Sequence, residues 1–450
     1  MNNITIPTLL EGLNHTETEI RKTTTNKTMY LIKGVLESSK GAQACPYCGI
    51  QMHIHNNYEV NLRHLSIGPY FTCVRLNKSR YICPNCRRTQ MQEVPFQALN
   101  HRITVEMLNY TRDLLACGFT NKQVCEITGL GKNTVKDIDL ERLKQKYTID
   151  GTSLIRPEVT AAHLGVDEFK LHDGYKFATI IIDLDTGHIL WLAHGKKKSA
   201  VYEFIDHVGL EWMDGVEAVA CDMNSDYEEA FEERCPHIQC VYDFFHLKKN
   251  YNEKVISAIR KDEQRRLLEE GDVEGARSLK RSKYILTSSM ETLERKDSEN
   301  GRIIQKGGGL FNAPEIRRHD GYVEKYNRIM KENRLLFTAE LILEKLTEAY
   351  KLDDEAAMAR EISEIMELCS QSGNIHLLWF KRLLDTHFEG IIAHATYKLS
   401  SGKVEGTNQM IKNVRRQGYG YPDDEYFFLK LFDASRKEYV RNQKSHKICD

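Results

Sequence analysis

Glu405, Asn408 and Lys412 stand at i, i+3 and i+7 in the stretch Lys403-Val404-Glu405-Gly406-Thr407-Asn408-Gln409-Met410-Ile411-Lys412. On a helix that spacing sets a carboxylate, an amide and a cation on one face. Two further acids stand at the ends of apolar, strand-like runs far upstream: Asp167 after Leu164-Gly165-Val166, and Asp222 after Val219-Ala220-Cys221. Carboxylates are the ligands that hard divalent cations prefer. Two strand-borne aspartates and one helical glutamate can hold a pair of such ions for phosphoryl transfer. Structural readings compete. Asp222 can equally cap a helix expected from about Asp226, and Glu168, Asp173 and Asp226 are neighbouring acids that contend for the same roles.

The elements that must position these groups come from the whole chain. Its 450 residues are enough for about three domains of roughly 150 residues each. A hydrophobic content of 41% and a charged content of 28% are those of a globular protein with real cores. No run of about 18 apolar residues is present, which excludes a membrane-spanning helix. The first residues lack the charged and apolar regions of a signal peptide, so a cytoplasmic protein is expected. The net charge of −1 hides an asymmetry, because residues 1–150 hold six more Lys and Arg than Asp and Glu. A second basic patch, Lys403, Lys412, Arg415 and Arg416, surrounds Glu405. Local basic surfaces on a neutral chain fit a nucleic-acid partner.

Of twelve cysteines, four form two knuckles, Cys45-Pro46-Tyr47-Cys48 and Cys83-Pro84-Asn85-Cys86, with 34 residues between them. Four thiolates in two tight knuckles suit one tetrahedral zinc ion. Alternating segments such as Tyr70–Leu76 predict short strands between the knuckles, hence a zinc ribbon over residues 1–100. His53, His55 and His64 are read as surface residues beside a complete thiolate set.

Residues 101–150 predict three helices. The first runs over about 104–117, with Val105, Leu108, Leu114 and Leu115 as its apolar face. Thr120-Asn121-Lys122-Gln123 is a capping box that opens the second. After Gly129-Leu130-Gly131 the third opens with Lys132-Asn133-Thr134-Val135-Lys136. A short helix, a glycine-bearing turn and a helix with a polar N-terminus make the helix-turn-helix pattern, in which Lys132, Asn133, Thr134 and Lys136 would face a major groove.

Beyond a linker at 150–159 the periodicity becomes strand-like. Strands are expected at 164–169, 175–184, 189–193, 217–221 and 238–242, with helices at 199–211 and 226–234. Residues 151–260 thus read as the first part of a catalytic core in the order β-β-β-α-β-α-β. Residues 261–394 read as an all-helical insertion, broken at Lys306-Gly307-Gly308-Gly309, and residues 395–450 as the remainder of the core. Within the insertion, Trp379 has two readings, a stacking platform for an unpaired DNA base and, favoured by the apolar residues that flank it, a core residue. The fold class is therefore a multidomain α+β/α/β chain.

The chain resembles DDE-type bacterial insertion-sequence transposases, most closely the ISL-three (ISL3) family. The resemblance rests on the doubled CxxC, Gly165-Val166-Asp167-Glu168-Phe169, Asp222-Met223, Asp243-Phe244-Phe245-His246, and Glu405-Gly406-Thr407-Asn408 leading to Arg415-Arg416-Gln417-Gly418-Tyr419-Gly420. It covers nearly the whole chain. It implies a ribonuclease-H-like core and Asp167, Asp222 and Glu405 as the catalytic triad. It also implies two Mg²⁺ or Mn²⁺ ions per active site and one structural Zn²⁺. The partners implied are double-stranded DNA, as terminal inverted repeats and as target, and a second copy of the chain on that DNA. The protein would be associated with the nucleoid when bound. Asp243 and His246 resemble a D-x-x-H element of related transposases, though a helix cap and a packed histidine remain alternatives. Asn408 and Lys412 are further neighbours of the site, and Arg415 and Arg416 further DNA contacts. Two rival functions share these modules: a DNA-binding regulator derived from a transposase, and a structure-selective nuclease on the same fold.

Overall fold

The computed structural model describes residues 10–22, 26–37, 43–174, 176–223, 225–299, 303–304, 315–316, 321–400, 402–418 and 420–437. The Gly307–Gly309 break lies outside them. The chain forms two compact units, one of residues 1–155 with 412–434, the other of 156–411 with 435–450.

In the first unit, strands β1 (Leu13–Lys22), β2 (Thr28–Leu36), β3 (His53–Ile67), β4 (Tyr70–Ile82) and β5 (Thr89–Met91) form a sheet of order β1-β2-β4-β3, with β5 also pairing β4. The strands between the knuckles are 15 and 13 residues long rather than short. They are long because β4 serves two cores. Val74 and Leu76 bury with Leu36, Leu62 and Phe96, while Tyr81, of opposite parity and so on the other face, buries with Cys45, Met52 and Cys83.

Helices α1 (Val105–Ala116), α2 (Asn121–Thr128) and α3 (Lys132–Tyr147) follow, then a minimal ladder of β6 (Thr148–Ile149) and β7 (Ser153–Leu154). The capping box at Thr120 and Gln123 forms, and Gly129 closes α2 at φ +70°. The buried face of α1 is Met107, Thr111 and Leu115, whereas Val105 is 36% exposed. Leu108 and Leu114 pack partly buried against the same core, so counting apolar residues finds the face but includes Val105 and omits Met107 and Thr111. Thr111 can be buried because its hydroxyl donates to the Met107 carbonyl at 2.7 Å. His64 is also not a free surface residue, since its Nδ1 lies 2.9 Å from the Thr104 hydroxyl that caps α1.

The second unit holds β8 (His163–Lys170), β9 (Phe177–Asp183), β10 (Ile189–His194), α4 (Lys198–Val208), α5 (Leu210–Met213), β11 (Ala218–Cys221), α6 (Ser225–Arg234), β12 (Gln239–Tyr242) and α7 (Phe244–Tyr251). The sheet order is β10-β9-β8-β11-β12. The first three strands are antiparallel, and β11 and β12 run parallel to β8. A π-helical turn, Asn252–Ile256, leads into α8 (Ser257–Glu269), α9 (Val273–Leu279), α10 (Lys283–Thr287) and α11 (Met290–Ser298). The two-residue strands β13 (Ile303–Ile304) and β14 (Glu315–Ile316) pair with each other. Then come α12 (Tyr322–Glu332), α13 (Arg334–Ala349), α14 (Glu355–Gln371), α15 (Ile375–Thr386), α16 (Phe388–Ile392) and α17 (His394–Tyr397). One apolar core runs from the sheet through these helices, from Leu164 and Val219 to Ile342, Ile362 and Phe380. Leu377 and Phe380 fill that core, and Trp379 stands 38% exposed rather than buried. No helix among the described residues is long and apolar enough to cross a membrane.

Two helices end the described chain, α18 (Gly402–Gln417) and α19 (Asp424–Ser435). The stretch expected as one piece of catalytic core divides, because residues 412–434 cluster with the first unit. The cause is a pair of buried aspartates. Asp139 on α3, wholly buried, accepts from the Tyr426 hydroxyl at 2.6 Å, Lys430 at 2.9 Å and Arg142 at 2.8 Å. Asp433 on α19 accepts from Arg142 at 3.1 Å, Lys146 at 3.1 Å and the Tyr147 hydroxyl at 2.9 Å.

Burial by itself raises the Asp433 pKa, but hydrogen bonds and charge from Arg142, with Tyr147 and Lys146, outweigh it and bring it to about 2. A carboxylate whose folded pKa is depressed contributes stability above its unfolded pKa and loses it as pH falls through the folded value. The ion pair at Asp433 should therefore stabilise the first unit by on the order of 2 kcal/mol at neutral pH. In thermal unfolding of the full chain, the gap between wild type and Asp433→Asn should be full above about pH 5 and shrink toward pH 2. A gap independent of pH would remove the ion pair from this account.

Candidate functional site

The two knuckles share one backbone geometry. Cys45 N–H donates to the Ile50 carbonyl and Gly49 N–H returns to the Cys45 carbonyl, both at 2.8 Å. Cys83 N–H donates to Arg88 at 2.9 Å and Arg87 N–H returns to Cys83 at 3.1 Å. Gly49 and Arg87, equivalent in the two turns, are both left-handed, at φ +72° and +59°. All four Sγ atoms lie within 4.8 Å of one another. Cys45 and Cys86, and Cys48 and Cys83, are each 3.5 Å apart, close to the edge of about 3.8 Å that four Zn–S bonds of about 2.3 Å require. Backbone N–H groups of Cys86 and then Asn85 draw the Cys83 thiol down to about 6, and that of Tyr47 lowers Cys45. Turned-in amides thus favour the thiolate at Cys45 and Cys83. At Cys86 the pull of the Arg88 amide is outweighed by burial and the neighbouring thiols, which push it up to about 11. The four-thiol set has the form of a closed structural site.

The acids are set by strand register. Ala218, Val219 and Ala220 pair in parallel with His163, Leu164 and Gly165, so two residues further on Asp222 comes opposite Asp167. Side chains at i and i+2 share a face, so both carboxylates leave the sheet on the side of Gly165 and Ala220. Asp167 lies inside β8 rather than at its end, but beyond the last residue that pairs with β11. Each Oδ1 is fixed by the following amide, Glu168 N–H on Asp167 and Met223 N–H on Asp222, both at 2.7 Å.

The third expected acid arrives on α18. A Cβ at Gly165 would lie 2.7 Å from Val404 Cγ2 and 2.8 Å from Leu184 Cδ2. Only the missing side chain lets α18 press on β8. One turn beyond Val404, Asn408 Nδ2 donates to Asp167 Oδ2 at 2.7 Å, and its Oδ1 is buried without a hydrogen-bond partner among the described residues. Glu405 is exposed on the same helix. Among the described residues only the four thiols form a set of three or more Cys, His, Asp or Glu ligand atoms within 4.8 Å of one another. Asp167, Asp222 and Glu405, expected to converge, are therefore not closed into a cage.

His246 on α7 places Nδ1 3.3 Å from Asp222 Oδ1. This contact lowers the Asp222 pKa and raises that of His246. Asp167 is raised, first by burial and also by the charge of Asp222. Asp243 is the N-cap of α7, accepting from Phe245 N–H at 3.2 Å. Of the contending acids, Glu168 pairs with Lys196 at 3.8 Å and Asp173 with Lys170 at 3.2 Å.

The basic residues divide. Lys132 and Asn133 are exposed at the start of α3 and Thr134 is half-buried. Lys136 is instead tied within its own unit, to Asp423 at 2.9 Å. Lys412 and Arg416 are exposed, and Arg415 lies over the Phe427 ring, 5.3 Å from its centroid. These three belong to the stretch that clusters with the first unit, whereas Glu405 and Asn408 belong to the second. Gly165 is the functional position that sequence reasoning missed. The available signal was a glycine inside a strand, which often marks close approach of another element.

Comparisons with known proteins bear on both sites. A family model for ISL3-type DDE proteins, described as a transposase, matches residues 164–431. A second, described as the zinc-finger of transposase IS204/IS1001/IS1096/IS1165, matches residues 41–86. The chain is 26% identical over 398 residues to the transposase for insertion sequence element IS1001 of Bordetella parapertussis, which covers 88% of this chain and 89% of that protein. It is 24% identical over 374 residues to the transposase for insertion sequence element IS1557 of Mycobacterium tuberculosis, with 80% and 78% covered.

Two outcomes test these geometries without any assay of activity. Metal analysis of the purified chain should find about one zinc, and Cys83→Ser should release it and loosen the knuckles; a zinc-free, well-folded wild type contradicts the site. Gly165→Ala should destabilise the second unit by about 1–3 kcal/mol through overpacking, and Val404→Ala should restore part of the loss. Additive effects of the two substitutions in denaturant unfolding would mean that the contact does not set the position of α18.

Proposed function

Because the chain belongs to the ISL3 family of DDE transposases, we propose that it binds the terminal inverted repeats of an insertion sequence and carries out metal-dependent strand cleavage and strand transfer with Asp167, Asp222 and Glu405. The observation that carries this reading is the Asn408–Asp167 hydrogen bond. It ties the Glu405 helix to an aspartate whose register neighbour on the next parallel strand is the second aspartate. The sheet order, with two parallel strands added beside an antiparallel trio, supports a ribonuclease-H-like core. Helices α2 and α3 with the Gly129–Gly131 turn support a helix-turn-helix, with Lys132 and Asn133 available to base edges and phosphates.

The donor set fits a pair of hard cations such as Mg²⁺ or Mn²⁺. It offers two adjacent carboxylates, one of them pushed up by burial and by the other's charge, and a buried amide oxygen with no donor of its own. Bound there, such ions would activate a water or a 3′-hydroxyl and stabilise the leaving 3′-oxygen. The chain's own part is to hold the acids. Glu168 N–H and Asn408 fix both oxygens of Asp167. Met223 N–H fixes Asp222, and His246 keeps it charged. Glu405, exposed and unconstrained by the sheet, completes the set from the helix. Cleavage and transfer share one constellation, because the incoming hydroxyl takes the place of water.

Asp167→Asn, Asp222→Asn and Glu405→Gln should each still bind terminal-repeat DNA and lose both cleavage and strand transfer in Mg²⁺. Asn408→Ala, which removes the orientation of Asp167 and the free amide oxygen beside it, should slow both steps about 10- to 100-fold. Asp173→Asn and Asp226→Asn should remain active. Wild-type cleavage by Glu405→Gln would exclude this triad, and a wild type that binds DNA but never cuts would favour a regulator.

A further inference from the structure

Helix α7 carries a feature that the metal chemistry does not use. Its first residue, Phe244, turns inward against Tyr350, with ring centroids 5.1 Å apart. The next, Phe245, is 50% exposed. His246, the residue that holds Asp222, stands edge-on to the Phe245 ring at 5.5 Å and 87°. Four residues beyond Phe245, and so on the same helix face, Lys249 is exposed and its positive charge acts on Asp222. Reading outward from the carboxylate, the surface presents an imidazole, a bare phenyl ring and a cation.

One exposed phenylalanine is ordinary on a protein surface. This one shares a helical turn with the histidine bound to Asp222 and a helix face with a cation. That combination matches a nucleotide, whose base has a flat apolar face and whose phosphate is an anion. In a duplex the base faces are stacked inside and only their edges reach the grooves, so a protein ring meets a base face only when that base has left the stack. We propose that Phe245 is the stacking platform for an unpaired nucleobase beside the scissile phosphate, with Lys249 on the phosphate of that strand. This rests on the reading of Asp167 and Asp222 as the cleavage site, and it adds a preference for DNA that is open at the point of cutting.

The test uses the full chain and two probes, a forked duplex whose unpaired arm carries 5-iodouracil and the same duplex fully paired. Wild type should prefer the fork by on the order of tenfold, and ultraviolet light should crosslink the arm to Phe245. Phe245→Ala should bind the paired duplex as wild type does and lose the preference, whereas Phe245→Trp should keep it. Lys249→Ala should weaken binding of the fork and lower its salt dependence by about 0.7 in the log–log slope. Asp167→Asn separates this inference from the one beneath it, since it should lose cleavage and keep both preference and crosslink. If Asp167→Asn still cuts DNA while the preference follows Phe245, the triad fails and the stacking platform stands. A preference that survives in Phe245→Ala, a crosslink at another residue, or no preference in wild type overturns the platform.

Discussion

The second unit depends on one close approach, that of Val404 to the bare Cα of Gly165. The parallel ladder, which ends at Gly165 and Ala220, sets Asp167 and Asp222 each two residues beyond its last pair, and strand spacing brings them side by side. Nothing in the ladder fixes a group on a helix. The helix is located by packing, and packing is sensitive to a single methyl group in a dense interior. With α18 seated on Gly165, Asn408 comes within hydrogen-bond reach of Asp167, and Glu405 is carried on the same rigid element. A sheet can thus organise two acids alone, but the third is positioned only as well as the contact at Gly165 is made.

The chain uses aspartate in two opposite ways. Asp139 and Asp433 are saturated, each ringed by three residues that donate from their side chains, and the cations around them hold both below the ordinary carboxylate value. Groups satisfied in this way are inert, and removing one partner leaves a buried charge exposed to its full desolvation cost. Asp167 and Asp222 are under-satisfied. Each has one backbone donor and one side-chain partner, and burial, with the charge of Asp222, raises the cost of ionising Asp167. Half-buried carboxylates short of donors have capacity left for a cation. Satisfaction and burial together, rather than sequence position, separate the buried structural acids from the half-buried ones proposed to react.

What the sequence revealed followed the range of the interaction. The knuckles, the Thr120–Gln123 capping box and the strand order were legible because spacing within a few residues determines them. The three acids were expected as a set because their order along the chain resembles a known pattern, and the structure ties Asp167 to the helix of Glu405 through Asn408. The contact of Gly165 with Val404 was not, because it joins residues 239 positions apart and leaves no trace beyond a glycine in a strand. The bonds from α3 to α19 span up to 291 positions and look in sequence like ordinary solvated charge. Lys136 was misjudged for the same reason, since its partner, Asp423, lies 287 residues away. Local rules also fail where a polar residue satisfies itself, as Thr111 does on the buried face of α1.

The path of the chain gives these long-range bonds a consequence. The first unit takes its helices from residues before 155 and its last helix from residues after 412. Asp139 is wholly buried, yet two of its three side-chain donors, Tyr426 and Lys430, come from α19. Without α19, Asp139 and Arg142 retain each other but lose the rest of their shell, and α3 loses its anchor at Asp433. The module read from sequence as residues 101–150 is therefore not a self-sufficient folding unit. Its third helix is finished only by a segment that the chain reaches after α18, the helix that bears Glu405. A chain that stops before α19 lacks the partners of its own α3, so completion of the first unit waits on completion of the proposed catalytic helix.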